Sequence, residues 1–257
     1  MARLLEAELG TAGIPVRSVS WREEVEGHGN ARPNVRTALE ELWVESWRLM
    51  FLGGTDAPPV PATYEEFQRE GWEDELVGLN LESNVAVGQL AAVWLDLAGQ
   101  ELLYHEVVEP LCSRGTWVIE ESYPLKLVVK ELLSARVLSE SRRIEEEIET
   151  ALALLPELYR PRFPDLGVVV SGPVELAYRR RVADLGRTNS MEDLGAAGRK
   201  GREGFFELQA ECDRVFRAVA EDERWVVFEM EDAPPEANFA RLLELVRPRL
   251  RSASLRS

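Results

Sequence analysis

The chain has 257 residues, 45% of them hydrophobic, which is enough to bury the core of one sizeable α/β domain. Its formal net charge of −16 argues against a nucleic acid or an anionic membrane as a partner, although a few arginines in a cleft can still bind a small phosphorylated ligand. Two cysteines and two histidines argue against a zinc site or a Ser-His-Asp triad.

No apolar run reaches the length of a membrane span, and the N-terminus lacks the charged and apolar regions of a signal peptide. We therefore expect a soluble cytoplasmic protein with reduced thiols.

The first half of the chain predicts a helix, a strand and then mostly helix. Leucines at helical spacing in "MARLLEAEL" are followed by glycines that suit a helix end, and "IPVRSVSW" is typical of a short strand. Apolar residues recur with a helical period from about residue 33 to 52. The segment from about 53 to 80 is rich in Gly, Pro and acid, and predicts an insertion. A long helix is expected from about 83 to 111, ending near Pro110.

The second half predicts further strands and helices. "SRGTWVIEES" predicts a strand at 116–120, "SESRRIEEEIETALALL" a helix, and "PELYRPRFPD" a turn-rich connection. The apolar run in "LGVVVSG" predicts a strand at 166–171 of the kind that is covered on both faces. The rest of the chain predicts, in order, a helix, a polar lid at about 179–203, a second helix, the strand "ERWVVFEM" and a closing helix.

Strands that alternate with helices predict an α/β fold, in which a mainly parallel sheet has helices on both faces. The sequence contains no internal repeat. We expect residues 1–257 to form a single domain that carries the insertion and the lid.

Five segments, in this order, carry a resemblance to a known family. They are "ARLLEAELGTAGIPV", "WRE" at Trp21–Glu23, "VVEPLCSRGTWVIEESY", "FPDLGVVVSGPVELAYRRR" and "FFELQAECDRVFRAVAEDERWVVFE". The second segment stands where the family has an Arg-Glu-Pro turn, with Glu24 in place of the proline. The third segment leads into the position where the family has an Asp-Arg-Tyr motif. The chain thereby resembles thymidylate kinase, a P-loop nucleoside monophosphate kinase, over most of its length.

The resemblance implies roles for individual residues. Glu121 would hold the metal or orient the acceptor, and Arg187 and Arg181 would stabilise the transferring phosphoryl group as catalytic residues. The remaining candidates would bind the substrate or belong to the lid. They are Arg22, Glu23, Gln100 and Tyr123 for the substrate, and Arg179 and Arg180 for the lid.

Two departures from the family pattern concern the acceptor. Ser122 replaces an arginine that would form a forked contact with a phosphate, and Gln100 stands about where the family has a second arginine. The loss of both cations predicts an altered acceptor, which need not be thymidylate.

The resemblance also implies a strand and a phosphate loop, G-x-x-x-x-G-K-[ST], in front of the first helix. The chain contains no such motif, because "GAAGRKGRE" follows no predicted strand and belongs to the lid. By the family's strand order, the missing strand is central. We therefore expect 116–120 and 166–171 to be neighbours or to be separated by a one-strand gap.

Two hypotheses stay open at this point. In the first, Met1 is internal to the natural product, and the protein is a kinase that transfers the γ-phosphate of ATP, with Mg²⁺, to thymidylate or a related small acceptor. In the second, the chain is complete and catalytically inactive, and it serves as a binding or regulatory partner. The resemblance further implies a homodimer formed through the long helices.

Several of the candidate residues also have a purely structural explanation. A solvated ion pair would account for Arg22 and Glu23, and side-chain packing would account for Tyr123. A solvated helix face would account for the arginines at 179–181.

Overall fold

The computed structural model describes residues 1–52, 60–72, 76, 79, 86–120, 125–189, 191–193 and 201–254. The helices are α1 (Ala2–Thr11), α2 (Trp21–Val25), α3 (Pro33–Met50), α4 (Tyr64–Arg69), α5 (Ala86–Leu103), α6 (Glu109–Ser113), α7 (Leu125–Leu138), α8 (Arg142–Tyr159), α9 (Val174–Leu185), α10 (Arg202–Asp222) and α11 (Pro235–Ser254). The strands are β1 (Val16–Val19), β2 (Trp117–Glu120), β3 (Val168–Ser171) and β4 (Val226–Glu229).

The four strands form two parallel pairs. β1 pairs with β2, with Val19 opposite Glu120, and β3 pairs with β4, with Ser171 opposite Glu229. Within the described ranges, β2 and β3 are not hydrogen-bonded to each other. The prediction of an α/β fold with parallel strands at these positions is confirmed, but the described strands do not join into one continuous sheet.

Helix α1 contacts both pairs of strands. The Ser18 hydroxyl of β1 donates to the Glu6 carboxylate of α1 over 2.8 Å, and α1 also contacts β2. At the start of the same helix, the Met1 side chain packs against a cluster formed by Phe228 of β4 with Leu242 and Val246 of α11. The helix therefore links the two sheets.

Most of the core lies between helices. Helix α5 packs against α3 on one side and against α7 on the other. The Trp21 indole is buried at the start of α2 and donates to the Leu39 carbonyl of α3 over 3.1 Å. On the other side of α5, the fully buried side chains Val128 and Leu132 anchor α7. Burial of such side chains stabilises the fold by about 1.5–3 kcal/mol each.

Two prolines do not end their helices, contrary to prediction. A π-helical turn at Tyr104–Val108 precedes Pro110, and α6 then continues the helix to Ser113. The wider turn, in which the Glu109 N–H donates to the Tyr104 carbonyl, accommodates a proline that has no N–H of its own. Helix α8 likewise continues through Pro156, where the sequence predicted a turn-rich connection.

Two short helices occupy segments that were predicted to be a turn and a loop. The Ser20 hydroxyl accepts from the Glu23 N–H at the start of α2, and the Thr63 hydroxyl accepts from the Glu66 N–H at the start of α4. Both follow the Ser/Thr-x-x-Glu pattern of a helix N-terminus, which the sequence analysis did not use. Helix α4 lies inside the predicted insertion.

None of the helices in the described ranges combines the length and the apolar composition needed to cross a lipid bilayer.

Candidate functional site

The carboxyl end of the β1–β2 pair is the first candidate region. Because the two strands are parallel and in register, the residues that follow Val19 and Glu120 leave the sheet at the same edge. Ligands of open α/β sheets bind at this edge. Residues 121–124 lie outside the described residues, and so do the predicted roles of Glu121 and Tyr123.

Glu120, the last residue of β2, is an acid that sequence reasoning missed. Burial raises the pKa of its carboxyl group to about 7. Among the residues that the structure describes, none donates a hydrogen bond to it. Both protonation states of Glu120 are therefore populated near neutral pH. The signal in the sequence is an acid at the end of an otherwise apolar strand, directly before the predicted site residue Glu121.

Helix α2 presents Arg22 and Glu23 at the end of β1. The Arg22 guanidinium lies over the Trp43 ring, 5.4 Å from its centre, and 3.7 Å from the Glu26 carboxylate. Glu23 uses its backbone N–H to cap the helix on Ser20. These contacts explain the local structure, and a role for either side chain in substrate binding stays a prediction.

Gln100 is half-buried on α5, beside the point where α2 packs on that helix. A Cβ atom at Gly99 would lie 2.1 Å from the Trp21 ring, so only glycine allows this close approach. The fold thus brings the predicted binding residue Gln100 to the same region as α2 and the end of β1.

Glu24, which stands where the family has proline, is buried and orders the loop after α2. Its carboxylate accepts from the Ala31 N–H over 2.6 Å. Burial raises the pKa of Glu24, and hydrogen bonds from the backbone of Ala31 and Asn30 oppose that change. A Cβ atom at Gly29 would lie 2.1 Å from the same carboxyl group. The loop is therefore built around this acid.

The arginines of α9 that were predicted to belong to a lid make contacts within the fold. Arg179 forms a salt bridge with Asp232 at 2.9 Å, and Arg180 donates to the carbonyl of Ala233 at 3.0 Å, so both bind the segment after β4. Arg181 forms a salt bridge with the side chain of Glu192, which is nearly buried.

Arg187 differs from these three residues. It is exposed and directly follows Gly186, which ends α9 in the left-handed conformation with φ 72°. None of the residues that the structure describes forms a salt bridge or a hydrogen bond with its side chain. A ligand could therefore engage Arg187 without breaking a described contact.

A pair of buried carboxyl groups lies in the helical core. Asp96 of α5 and Glu131 of α7 are 2% and 0% exposed, and the two carboxyl groups are close enough to influence each other's pKa. Burial raises the pKa of Asp96 to about 6, while the nearby side chains of Glu131 and Ser46 oppose it. Burial and the neighbouring Asp96 raise the pKa of Glu131 well above its ordinary value. Burial of the pair therefore favours the state in which at least one of the two carboxyl groups is protonated.

A second polar network joins the ends of β3 and β4 to α10. The Ser171 hydroxyl donates to Asp213, and Arg217 donates to Asp213 over 2.6 Å and also to Glu229. Arg217 further donates to the Ser171 oxygen over 2.6 Å. These four groups satisfy one another, so we assign the network a structural role.

The described residues contain no group of three or more His, Cys, Asp or Glu side chains that could hold a metal ion. No protein-family model, curated protein or solved structure matches the chain. A functional conclusion therefore has to come from the sequence pattern and from the geometry above.

Proposed function

We propose that the protein is an ATP-dependent kinase of the thymidylate kinase type, which phosphorylates a nucleoside monophosphate or a related small phosphorylated acceptor. The observation that carries this proposal is the pair of parallel two-stranded sheets, both contacted by α1. The strands at 116–120 and 166–171 are not paired with each other among the described residues. This agrees with the expectation that one strand is missing between them.

The open edges of β2 and β3 support a fifth strand between them. Among the residues that the structure describes, each strand is hydrogen-bonded along one edge only, and each sheet consists of two strands of four residues. Sheets this small are marginal by themselves, and unpaired backbone groups at an edge readily accept a further strand. In the proposed fold this central strand carries the phosphate loop.

In the proposed kinase, the exposed Arg187 and the Gln100 amide would each contact a substrate. Arg187 would approach the transferring phosphoryl group, since an arginine fork suits phosphate oxygens. Gln100 would donate to or accept from the base or sugar, without adding charge. Mg²⁺ and ATP belong to the proposal, but because no described cluster fits a metal ion, we assign no step to it.

A second candidate function is a catalytically inactive nucleotide-fold protein that binds or regulates a partner. The contacts of Arg179 and Arg180 with the segment after β4 favour it, because they engage two of the predicted lid cations in the fold. The neutral side chains of Ser122 and Gln100 favour it as well.

We also propose a homodimer formed through the long helices. Val87, in the first turn of α5, and Trp94, near its middle, are 60% and 52% exposed, although α5 is a core helix that packs against α3 and α7. Sedimentation velocity tests this part directly, because Trp94→Glu should convert a dimer to a monomer.

The experiment that tests the kinase uses two products: this chain, and the same chain extended by whatever residues its gene encodes in frame before Met1. ATP binding is measured by calorimetry, and ADP release is measured with thymidylate as acceptor. We expect the extended product to bind ATP and to release ADP only when acceptor is present.

The variant Arg187→Met should then lower turnover about tenfold to a hundredfold, as expected when a charge that stabilises the transition state is removed. Arg143→Met is the matched control, because the Arg143 side chain is 87% exposed and forms a salt bridge with Glu147 on the same helix, α8. If neither product binds ATP although both are folded by circular dichroism, the kinase proposal is wrong and the second candidate stands.

A further inference from the structure

Five oxygen atoms in the helical core have no hydrogen-bond partner among the residues that the structure describes. They are both carboxylate oxygens of Glu131, Oδ2 of Asp96, and the hydroxyl oxygens of Ser46 and Ser134. Each of the four side chains is at most 3% exposed. A buried polar atom without a partner is rare in a folded protein, so five of them in one part of the core call for an explanation.

Two contacts fix how α3 lies against α5. The Gln89 side chain of α5 donates to the Met50 carbonyl of α3 over 2.9 Å. The Trp21 indole donates to the Leu39 carbonyl of α3 over 3.1 Å, and a Cβ atom at Gly99 of α5 would lie 2.1 Å from the Trp21 ring. The end of α3 therefore lies beside the start of α5, and the two helices run antiparallel.

Ser46 of α3 and Asp96 of α5 lie between these two contacts. Ser46 is one turn before Met50, and Asp96 is one turn before Gly99. In an α-helix each side chain is tilted toward the N-terminus of its own helix. Because the two helices are antiparallel, these tilts bring the side chains of Ser46 and Asp96 toward each other.

Glu131 and Ser134 approach the same region from α7. They are three residues apart, so their side chains are neighbours on the helix surface. Val93 of α5 and Val128 of α7 belong to one buried cluster, and Asp96 and Glu131 follow these valines by three residues each, on the same helix faces. We call the side chains of Ser46, Asp96, Glu131 and Ser134 the acid–serine cluster.

The acid–serine cluster has more hydrogen-bond acceptors than donors. An ionised carboxylate only accepts, and each serine hydroxyl supplies one hydrogen. Five oxygens therefore share two hydroxyl hydrogens and whatever protons the acids keep. A water molecule donates two hydrogen bonds and accepts others, and internal water typically has two to four polar partners of this kind.

We propose that the acid–serine cluster binds internal water molecules between α3, α5 and α7. Five oxygens, with two to four partners for each water, correspond to about two molecules. A metal ion suits the cluster less well, because only two of its side chains are acids and the described residues place no third acid, histidine or cysteine with them.

Bound water explains how two acids can occupy the helical core. It solvates the carboxylate form, which burial alone disfavours. Gln100 is one turn beyond Asp96 on α5, so the hydrated region lies next to the amide that was predicted to bind the substrate. Water binding at this place does not depend on the proposed function.

Magnetic relaxation dispersion of ¹⁷O water measures how many water molecules stay bound for longer than the tumbling time of the protein. The full chain is compared with the double variant Asp96→Leu, Glu131→Met, whose apolar side chains fill the volume of the acids and their water. We expect the dispersion amplitude to fall by the contribution of about two water molecules. Glu145→Met, which removes an exposed acid on α8, should leave the amplitude unchanged.

A second measurement covers the case in which the double variant does not fold by circular dichroism. Nuclear Overhauser cross-peaks between water and methyl groups are recorded for the unaltered chain and for Ser134→Ala, which removes one hydroxyl and adds no volume. We expect cross-peaks at Val93 and Val128 that weaken in Ser134→Ala. The methyl groups of Val246, which is 2% exposed in the apolar cluster at α11, should show none.

An equal dispersion amplitude in the unaltered chain and a folded double variant would overturn the proposal. So would the absence of water cross-peaks at Val93 and Val128. Loss of both signals on treatment with EDTA, and their return with Mg²⁺, would identify a metal ion as the occupant and would also overturn it. No nucleotide is added in either measurement, so the outcome is separate from that of the kinase test.

Discussion

Replacing Glu131 with glutamine should make the protein more stable at neutral and alkaline pH. The perturbation removes one of two buried carboxyl groups and keeps its shape, and the new amide can donate a hydrogen bond to Asp96 without needing a shared proton. The pKa of Asp96 rises from 3.8 to about 6 in the fold, and each pKa unit corresponds to about 1.4 kcal/mol. The shift of Asp96 alone thus costs ~3 kcal/mol of folding free energy at pH values above its folded pKa.

The sign follows from proton binding. Because both carboxyl groups have raised pKa values, the folded state binds more protons than the unfolded state at pH values above about 4. Stability from this pair is therefore complete below the unfolded pKa and is lost as the pH rises toward and beyond about 6. Glu131→Gln removes the pH dependence that comes from Glu131 and leaves that of Asp96, whose pKa is raised by its own burial, so the effect of the variant is near zero at about pH 4 and is a stabilisation at about pH 8.

The free energy of unfolding of the variant and of the unaltered chain is compared by urea unfolding at about pH 4 and at about pH 8, with tryptophan fluorescence as the signal. The matched control is Glu145→Gln on α8, which removes an exposed acid and changes the net charge equally. The reasoning is refuted if Glu131→Gln destabilises the protein at about pH 8, or if its effect is the same at both pH values.

Three further outcomes are expected. Gly29→Ala should destabilise the protein by at least ~2 kcal/mol in urea unfolding, because its Cβ would lie 2.1 Å from a buried carboxyl group, whereas Gly10→Ala, with open space around it, should stabilise by up to about 1 kcal/mol. A thiol reagent should label exposed Cys112 in the folded protein but buried Cys212 only after unfolding, and equal rates would contradict this burial. Thr63→Ala should cost about 1 kcal/mol of local helix stability by amide exchange, and an unchanged exchange rate would refute the cap.

Strands β2 and β3 could be predicted from the sequence because their apolar residues are continuous and a glycine stands shortly before each of them. β2 and β3 lie within the predicted segments 116–120 and 166–171. The pairing could not be derived in the same way, since a strand's sequence records its burial but not its neighbour. The resemblance supplied the strand order, and the structure supplies the two parallel pairs.

Only one half of the buried carboxyl pair could have been predicted from the sequence. Asp96 falls on the same helical stripe as the buried residues Gln89, Val93 and Leu103, so the period of α5 already placed an acid in the core. Its partner Glu131 comes from another helix, 35 positions later in the numbering. Only the packing of α5 against α7 brings the two together, and no local pattern encodes that contact.

The register of the two strand pairs predicts which backbone amides lie at the open edges of β2 and β3. The Trp117 N–H donates to Pro15, and the Val226 N–H donates to Gly167. In parallel strands, successive residues point their backbone groups to opposite edges, so the amides of Val118, Val168 and Val170 face away from their partners.

Hydrogen exchange followed by NMR should therefore find these three amides exchanging about a hundredfold faster than those of Trp117 and Val226. A product extended in front of Met1 should slow them to similar rates if a strand enters between β2 and β3. Slow exchange of Val118 and Val170 in the chain as it stands would mean that these edges are already paired. The gap on which the proposed function rests would then not exist.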